Sequence, residues 1–255
     1  MELLTKVNIQ SLEKKIGYQD KILLLGSCFA DNVGEKFGEY YFQTTINPFG
    51  TLYNPISIAN NLLPIASDHL PIVCHNGLWH SMMHHGSFSH PNKDELLQRC
   101  GESRTIMRRA LQEASTIIVT FGTAWVYEYY GQVVANCHKL PAKDFVRRRL
   151  TVEEIVQTWQ PIIEQMSDKH WIFTVSPIRH IKDGLHENQI SKAILLQAID
   201  CLVSNSSAVS YFPSYEIMLD ELPRPEQPLG RGSALSRLGA ELELRRSGSS
   251  LGPSQ

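Results

Sequence analysis

Four short apolar runs, separated by longer segments with helical spacing, constrain the fold of this 255-residue chain more than any other feature. The runs are KILLL, TIIVTF, WIFTV and AVSYF, at residues 21–25, 116–121, 171–175 and 208–212. Continuous apolar runs of this length are typical of strands that are buried on both faces of a sheet. The segments between them are long enough for crossover helices. The pattern therefore predicts a doubly wound α/β fold, with a mostly parallel sheet of about five strands and helices on both faces.

Capping residues and apolar spacing predict the helices. Asn92 begins a helix that ends near Ser115, and Thr151 with Glu154 forms a capping box at the start of another, which Pro161 is expected to kink. Residues spaced by about four predict two more helices: Phe29, Val33, Phe37 and Tyr41 in the first, and Ile190, Ile194, Ala198 and Leu202 in the second.

Charge and cysteine content exclude several classes of protein. The net charge is −2, with both signs spread along the chain and no polybasic block, so we expect neither nucleic acid nor a membrane surface as a partner. The five cysteines are scattered and form no C-x-x-C, which favours free thiols in a reducing compartment. With no apolar stretch typical of a signal peptide or a membrane span, the sequence predicts a cytoplasmic protein.

The composition changes abruptly at Pro223. Residues 223–255 contain no Lys, aromatic residue, Ile or Val, and Arg, Gly, Ser, Pro and Leu dominate them. Such a segment buries too little apolar area to offset the entropy of ordering it. We therefore expect a single domain over residues 1–222, followed by a disordered tail.

Polar and small residues follow each predicted strand. These segments are Gly26-Ser27-Cys28, Gly122-Thr123-Ala124-Trp125, Ser176-Pro177-Ile178-Arg179-His180 and Pro213-Ser214-Tyr215. In parallel sheets of this kind, ligands bind beyond the carboxyl ends of the strands. Ser27 has two interpretations: a nucleophile beside the N–H groups of a helix N-terminus, or only the N-cap of that helix.

Five blocks of the sequence, taken together, resemble one family. Gly26-Ser27-Cys28-Phe29-Ala30 is similar to the signature of the GSCFA-domain family of bacterial proteins, which resembles a branch of the SGNH (GDSL-like) ester hydrolases. The other blocks are NPFGTLYNP at residues 47–55, FGTAWVY at 121–127, NCHK at 136–139, and a block from Ser176 to Lys192. The resemblance covers about residues 3 to 222.

The resemblance implies a three-layer α/β/α fold and serine-dependent ester hydrolysis, with no cofactor. Ser27 would be the nucleophile, and the N–H groups of Ser27 and Gly50 would bind the oxyanion. Gly122-Thr123 matches the third SGNH block, but Ala124 replaces an asparagine that donates to the oxyanion in that superfamily. The amide of Asn47 or Asn54 is a candidate substitute. The substrate would be a small-molecule or carbohydrate ester, by analogy with the superfamily only.

The general base departs from the family pattern. The family is expected to carry an Asp-x-x-His after the last core strand, whereas no histidine follows His186 in this sequence. His180 is the candidate replacement, with Arg179 beside it shaping the substrate pocket; alternatively, both are loop residues satisfied by neighbouring groups. Two hypotheses follow: an esterase with Ser27 as nucleophile, or a ligand-binding remnant without turnover.

The sequence contains two alternative candidate sites. His80, His84 and His85 lie close together, but the sequence around them favours a loop or β-hairpin without an acidic ligand, so no metal site is expected. The resemblance instead places His84 and His85 in the substrate cleft. Cys28, at a helix N-terminus, is the alternative nucleophile, although a cysteine in this position more often packs as a small apolar residue.

Overall fold

A computed structural model describes residue 7 and residues 16–62 and 71–221. In these residues the chain forms ten strands: β1 Lys21–Gly26, β2 Gln43–Ile46, β3 Ile72–His75, β4 Leu78–Ser81, β5 Thr116–Phe121, β6 Trp125–Tyr129, β7 Gln132–Val134, β8 Phe145–Arg149, β9 His170–Val175 and β10 Val209–Phe212. Its longer helices are α1 Cys28–Glu39, α2 Pro55–Leu62, α3 Lys93–Glu113, α4 Val152–Gln165 and α5 Leu185–Asn205. The predicted tail, residues 223–255, lies outside the described residues.

Five strands form the central sheet, in the order β2-β1-β5-β9-β10, and every neighbouring pair is parallel. The predicted doubly wound α/β class is confirmed, and four of the five strands coincide with the apolar runs. The fifth, β2, is an edge strand of half-buried and exposed residues that the apolar pattern did not reveal. Because the chain goes from β1 to one edge and then returns to β5, the direction of winding reverses between β1 and β5.

Helices cover both faces of this sheet, which gives three layers. Side chains of a strand alternate between faces, and in β1 Leu23 and Leu25 join one apolar cluster while Ile22 and Leu24 join the other. The first cluster contains the inner faces of α2, α3, α4 and α5. The second contains Phe29, Ala30, Val33 and Phe37 of α1.

The predicted caps are confirmed, with two differences in the helices. Asn92 caps α3, and Thr151 with Glu154 forms the capping box of α4, which runs through Pro161. The first helix ends at Glu39, so Tyr41 does not extend its apolar face as predicted. Tyr41 has a φ of 65° and is 82% exposed.

The second difference concerns the buried face of α5. Ala198 and Leu202 are buried as predicted, but Ile190 and Ile194 are only partly buried. Their place towards the sheet is taken by polar residues in the first half of the helix: Asn188, Ser191 and Lys192. The core face of α5 therefore begins polar and becomes apolar.

Two small sheets complete the described structure. β3 and β4 form an antiparallel hairpin over the histidine-rich segment, as expected, and β6 pairs with both β7 and β8 in a three-stranded sheet that the sequence did not predict. Within residues 16–62 and 71–221, no helix has the length and apolarity needed to cross a membrane.

Candidate active site at the carboxyl edge of the sheet

Ser27 lies between the end of β1 and the start of α1, at the point where the winding reverses. Its Oγ accepts a hydrogen bond from the Phe29 N–H at 3.3 Å, so Ser27 is the N-cap of α1. The cap uses the oxygen as an acceptor and leaves the hydroxyl proton available to a base. The side chain is 1% exposed. The two interpretations of Ser27 are therefore compatible.

Gly26 is required by the close approach of this turn to β5. Its φ is +124°, and a Cβ at this position would lie 2.1 Å from the Thr120 carbonyl oxygen. The same carbonyl accepts the Ser27 N–H at 3.2 Å. Since no L side chain fits here, the sequence Gly-Ser at the end of β1 fixes the position of the serine against β5.

A second loop, residues 47–52, braces the serine turn from the other side. Asn47 Oδ1 accepts the Gly26 N–H at 2.8 Å, and Asn47 Nδ2 donates to Asp31 of α1 at 2.6 Å. Thr51 donates to the other oxygen of the Asp31 carboxylate. The Asn47 amide thus links the Gly26–Ser27 turn to α1. Asp31, which binds both Asn47 and Thr51, is a positioning residue that the sequence reasoning missed.

The two N–H groups expected to bind an oxyanion both have backbone acceptors in this structure. The Ser27 N–H donates to Thr120, as described, and the Gly50 N–H donates to the Asn47 carbonyl at 2.7 Å. Gly50 has a φ of +76° and packs against His85, whose Cβ would lie 2.4 Å from a Cβ at Gly50. The loop therefore places His85 beside Gly50.

The segment after β5 meets the residues before α2. The carbonyl of Tyr53 accepts the N–H groups of both Gly122 and Thr123, at 2.8 and 3.0 Å. The next residue, Asn54, uses its Oδ1 to accept the Ser57 N–H at the start of α2. Asn54 Nδ2 donates to no group of the described residues, so it is a donor available for a ligand at this edge.

Lys192 of α5 is the main residue that the sequence analysis did not assign to the site. It is 1% exposed, and its Nζ donates to the carbonyls of Gly122 and Ser176, at 2.6 and 2.7 Å. Burial lowers the pKa of Lys192 to about 7, and interaction with Cys28 opposes this shift. The only sequence signal was its place in the last of the five family-like blocks.

His180 and Arg179 follow β9 at the same edge. The His180 N–H donates to Asn188 Oδ1 at 3.0 Å, and the ring meets the Tyr53 ring edge-on, with centroids 6.1 Å apart. Burial and the charge of Lys192 lower the pKa of His180. Arg179 is exposed. Among the described residues, no hydrogen bond joins a histidine ring to Ser27.

The structure places His84 in the core instead of at an open cleft. The side chain is 1% exposed, and its ring lies 4.9 Å from that of Phe49 and 4.7 Å from that of Phe88. Its Nδ1 lies 2.7 Å from Ser81 Oγ, and burial lowers its pKa to about 3. The segment that carries it is pulled inwards because its two neighbours Met82 and Met83 are also buried.

His85 is only half-buried, with its Nδ1 3.0 Å from Ser87 Oγ. No group of three potential metal ligands comes together in the described part of the chain. A cavity of about 220 Å³ lies at the amino edge of the sheet, lined in part by Lys21, Thr44 and Glu113. We place the site at the opposite edge, because ligands of doubly wound sheets bind at the carboxyl ends, where the winding reverses.

A family model described as the GSCFA family matches residues 21–226, which is most of the chain. The searches of curated proteins and of solved structures found no match.

Proposed function

The chain belongs to the GSCFA family, and on this premise we propose that it is a serine-dependent ester hydrolase with Ser27 as the nucleophile. The observation that carries the proposal is the position of Ser27. It lies at the carboxyl edge of a parallel sheet, between β1 and β5, on a turn that a glycine of positive φ holds against the neighbouring strand. This is where ligands of doubly wound folds bind.

In the proposed reaction Ser27 Oγ attacks the carbonyl carbon of an ester, and the C–O bond to the alcohol breaks. Water then attacks the acyl-serine, which releases the carboxylic acid and restores the hydroxyl. The substrate class is an O-acyl small molecule or carbohydrate. No cofactor takes part in either step.

Asn54 is our proposed oxyanion donor. Its Oδ1 is fixed by the Ser57 N–H, which orients the amide, and its Nδ2 has no acceptor in the described residues. Tyr53, the preceding residue, binds Gly122 and Thr123 through its carbonyl, so Asn54 lies beside the end of β5. This donor would take the place of the asparagine that the resemblance expects at Ala124. The N–H groups of Ser27 and Gly50 would add to it after releasing their present acceptors.

The test is covalent labelling by a fluorophosphonate probe. Wild type should label, and Ser27→Gly should not. Glycine is the informative replacement because it is tolerated as an N-cap at a cost of only a few tenths of a kcal/mol, so α1 should be retained. The matched control is Ser87→Ala, because Ser87 is an exposed serine with its own histidine contact and should label like wild type. Labelling that survives in Ser27→Gly would exclude Ser27 as the nucleophile.

One observation favours a second candidate, ligand binding without turnover. Ser27 is almost completely buried, and in the described residues no histidine contacts it. A wild type that neither labels nor hydrolyses p-nitrophenyl acetate, although it is folded by circular dichroism, would support this alternative.

We also propose a reducing, cytoplasmic location. All five cysteines lie in the described part of the chain, and no two of them form a disulfide.

A further inference from the structure

Among the described residues, Lys192 has fewer hydrogen-bond acceptors than a charged amine has donors, although the Tyr215 ring also lies 5.8 Å from Nζ. An ammonium group has three N–H donors, whereas a neutral amine has two donors and one lone pair. The structure supplies two acceptors, the carbonyls of Gly122 and Ser176. No ion pair of the described residues includes Lys192. The neutral amine therefore satisfies both of its donors and retains a lone pair that can accept a proton.

The position of this amine is defined by the same strand end that holds the serine turn. The Thr120 carbonyl accepts a hydrogen bond from the Ser27 N–H. Two residues further along, the Gly122 carbonyl accepts a hydrogen bond from Lys192 Nζ. Two residues of extended chain span about 7 Å. Nζ also binds Ser176, just after β9, so the amine lies at the carboxyl ends of β5 and β9. This is the same edge of the sheet as the Ser27–Cys28 turn, and the electrostatic interaction of Lys192 with Cys28 agrees with that placement.

Resting on the ester hydrolysis proposed above, we propose that Lys192 is the proton acceptor for Ser27, directly or through one water molecule. The neutral Nζ takes the hydroxyl proton as Ser27 Oγ bonds to the carbonyl carbon. The resulting ammonium gives that proton to the alcohol as the ester C–O bond breaks. In deacylation Nζ takes a proton from water as the hydroxide bonds to the acyl carbon, and it returns the proton to Ser27 Oγ as that bond breaks.

Lys192 meets the requirements for this role better than His180. A base needs its own orientation fixed by further contacts, and the two carbonyls fix Nζ. The His180 ring has no hydrogen bond in the described residues; its backbone N–H binds Asn188 and its ring contacts only the edge of Tyr53. Removal from water brings a lysine into the range in which it can act as a base near neutral pH, and Lys192 is almost completely buried.

Several titratable groups face Lys192 and could affect its pH dependence. They are Cys28 from α1, His180 from the loop after β9, and Tyr215 from the turn after β10, whose ring centroid is 5.8 Å from Nζ. Asp183 acts on His180, and Arg179 acts on Tyr215. The pKa of His180 is lowered from 6.5, so a change of labelling rate caused by His180 would occur below that pH. The change caused by Lys192 is expected near pH 7.

The experiment is the pH dependence of fluorophosphonate labelling between pH 5.5 and 9. Wild type should label faster as the pH rises through about 7 and then reach a plateau. Lys192→Met and Lys192→Arg should both label about 10²- to 10⁴-fold more slowly at pH 8, which is the usual contribution of a general base. Arg is the matched variant, because it keeps the positive charge and the N–H donors but does not deprotonate. His180→Gln should retain the step near 7.

Three results would overturn this role for Lys192: a rate in wild type that does not change across the range, wild-type labelling of Lys192→Arg, or loss of the step in His180→Gln. The wild-type and His180→Gln profiles decide the matter if the Lys192 variants do not fold. A label that persists in Ser27→Gly overturns the proposed function itself. The failures of the two proposals are therefore distinguishable.

Discussion

Lys192→Met isolates what burial of the amine does to stability, because methionine has a similar length and no charge. The pKa of Lys192 falls from 10.5 to about 7 in the folded chain. At about 1.36 kcal/mol for each pH unit, this difference corresponds to roughly 5 kcal/mol of destabilisation when the group is charged in both states. Methionine removes that contribution.

The sign of the pH dependence follows from proton binding. Between pH 7 and 10.5 the unfolded chain holds a proton on Lys192 that the folded chain does not. The stability of wild type therefore rises with pH in this window, and below pH 7 the full destabilisation applies. From pH 7 to pH 9, wild type should gain about 2.5 kcal/mol over Lys192→Met.

The variant also loses two hydrogen bonds and leaves the carbonyls of Gly122 and Ser176 without their donor. That cost, about 1–3 kcal/mol for each buried group, does not depend on pH. A comparison at a single pH is therefore uninformative, and the test is the change with pH.

The assay is urea unfolding followed by tryptophan fluorescence at pH 6, 7, 8 and 9. Lys143→Met, at an exposed position, is the control and should show the pH dependence of wild type. If the difference in stability between wild type and Lys192→Met stays constant within about 0.5 kcal/mol from pH 7 to 9, the amine of Lys192 is not neutral in the folded chain.

Three further changes test other parts of the structure. Gly26→Ala should destabilise the fold by at least about 3 kcal/mol, through backbone strain and the clash with a strand carbonyl. Gly101→Ala, in an open position of α3, should instead stabilise it by about 0.5–1 kcal/mol in the same urea assay; equal effects would contradict the assigned geometry. Asn54→Asp keeps an acceptor for the Ser57 N–H but removes the amide donor, so labelling should slow about 10²- to 10³-fold or more without a lower melting temperature; an unchanged rate would exclude Asn54 as a donor. Because burial lowers the pKa of His84 to about 3, its contribution to stability is complete above pH 6.5 and is lost as the pH falls. Between pH 6 and 4, the free energy of unfolding of His84→Gln should therefore fall by about 2.5 kcal/mol less than that of wild type. Parallel acid-unfolding curves would refute this.

The apolar pattern predicted β1, β5, β9 and the edge strand β10 of the central sheet, and it missed the strands with few buried residues. β5 and β9 are buried along their whole length, and four of the six residues in each are apolar, which gives a strong signal. β2 is an edge strand, and β8 has the sequence FVRRR with no buried residue. Their strand conformation depends on pairing with distant segments, which local sequence does not record.

Local sequence features point to Ser27 but not to Lys192, and the reason is physical. An N-cap and a tight glycine turn are local features, readable from Gly26 and the residues that follow. Whether a lysine in a helix faces water or the sheet depends on the rotation of the helix. The apolar residues Ile190 and Ile194 suggested one orientation of α5, whereas the polar group Asn188, Ser191 and Lys192 is the one that is buried.

The buried polar residues of α5, Asn188, Ser191 and Lys192, lie over the ends of two strands of the central sheet. The first half of α5 covers the ends of β5 and β9, where Lys192 binds Gly122 and Ser176 and the Ser191 Oγ accepts the Ala124 N–H. A neutral side chain with N–H donors would join these carbonyls without the cost of removing a charge from water. A lysine adds one property that such a side chain lacks, which is a proton that can leave and return near neutral pH. The position is therefore better explained by proton transfer at the serine turn than by stability alone.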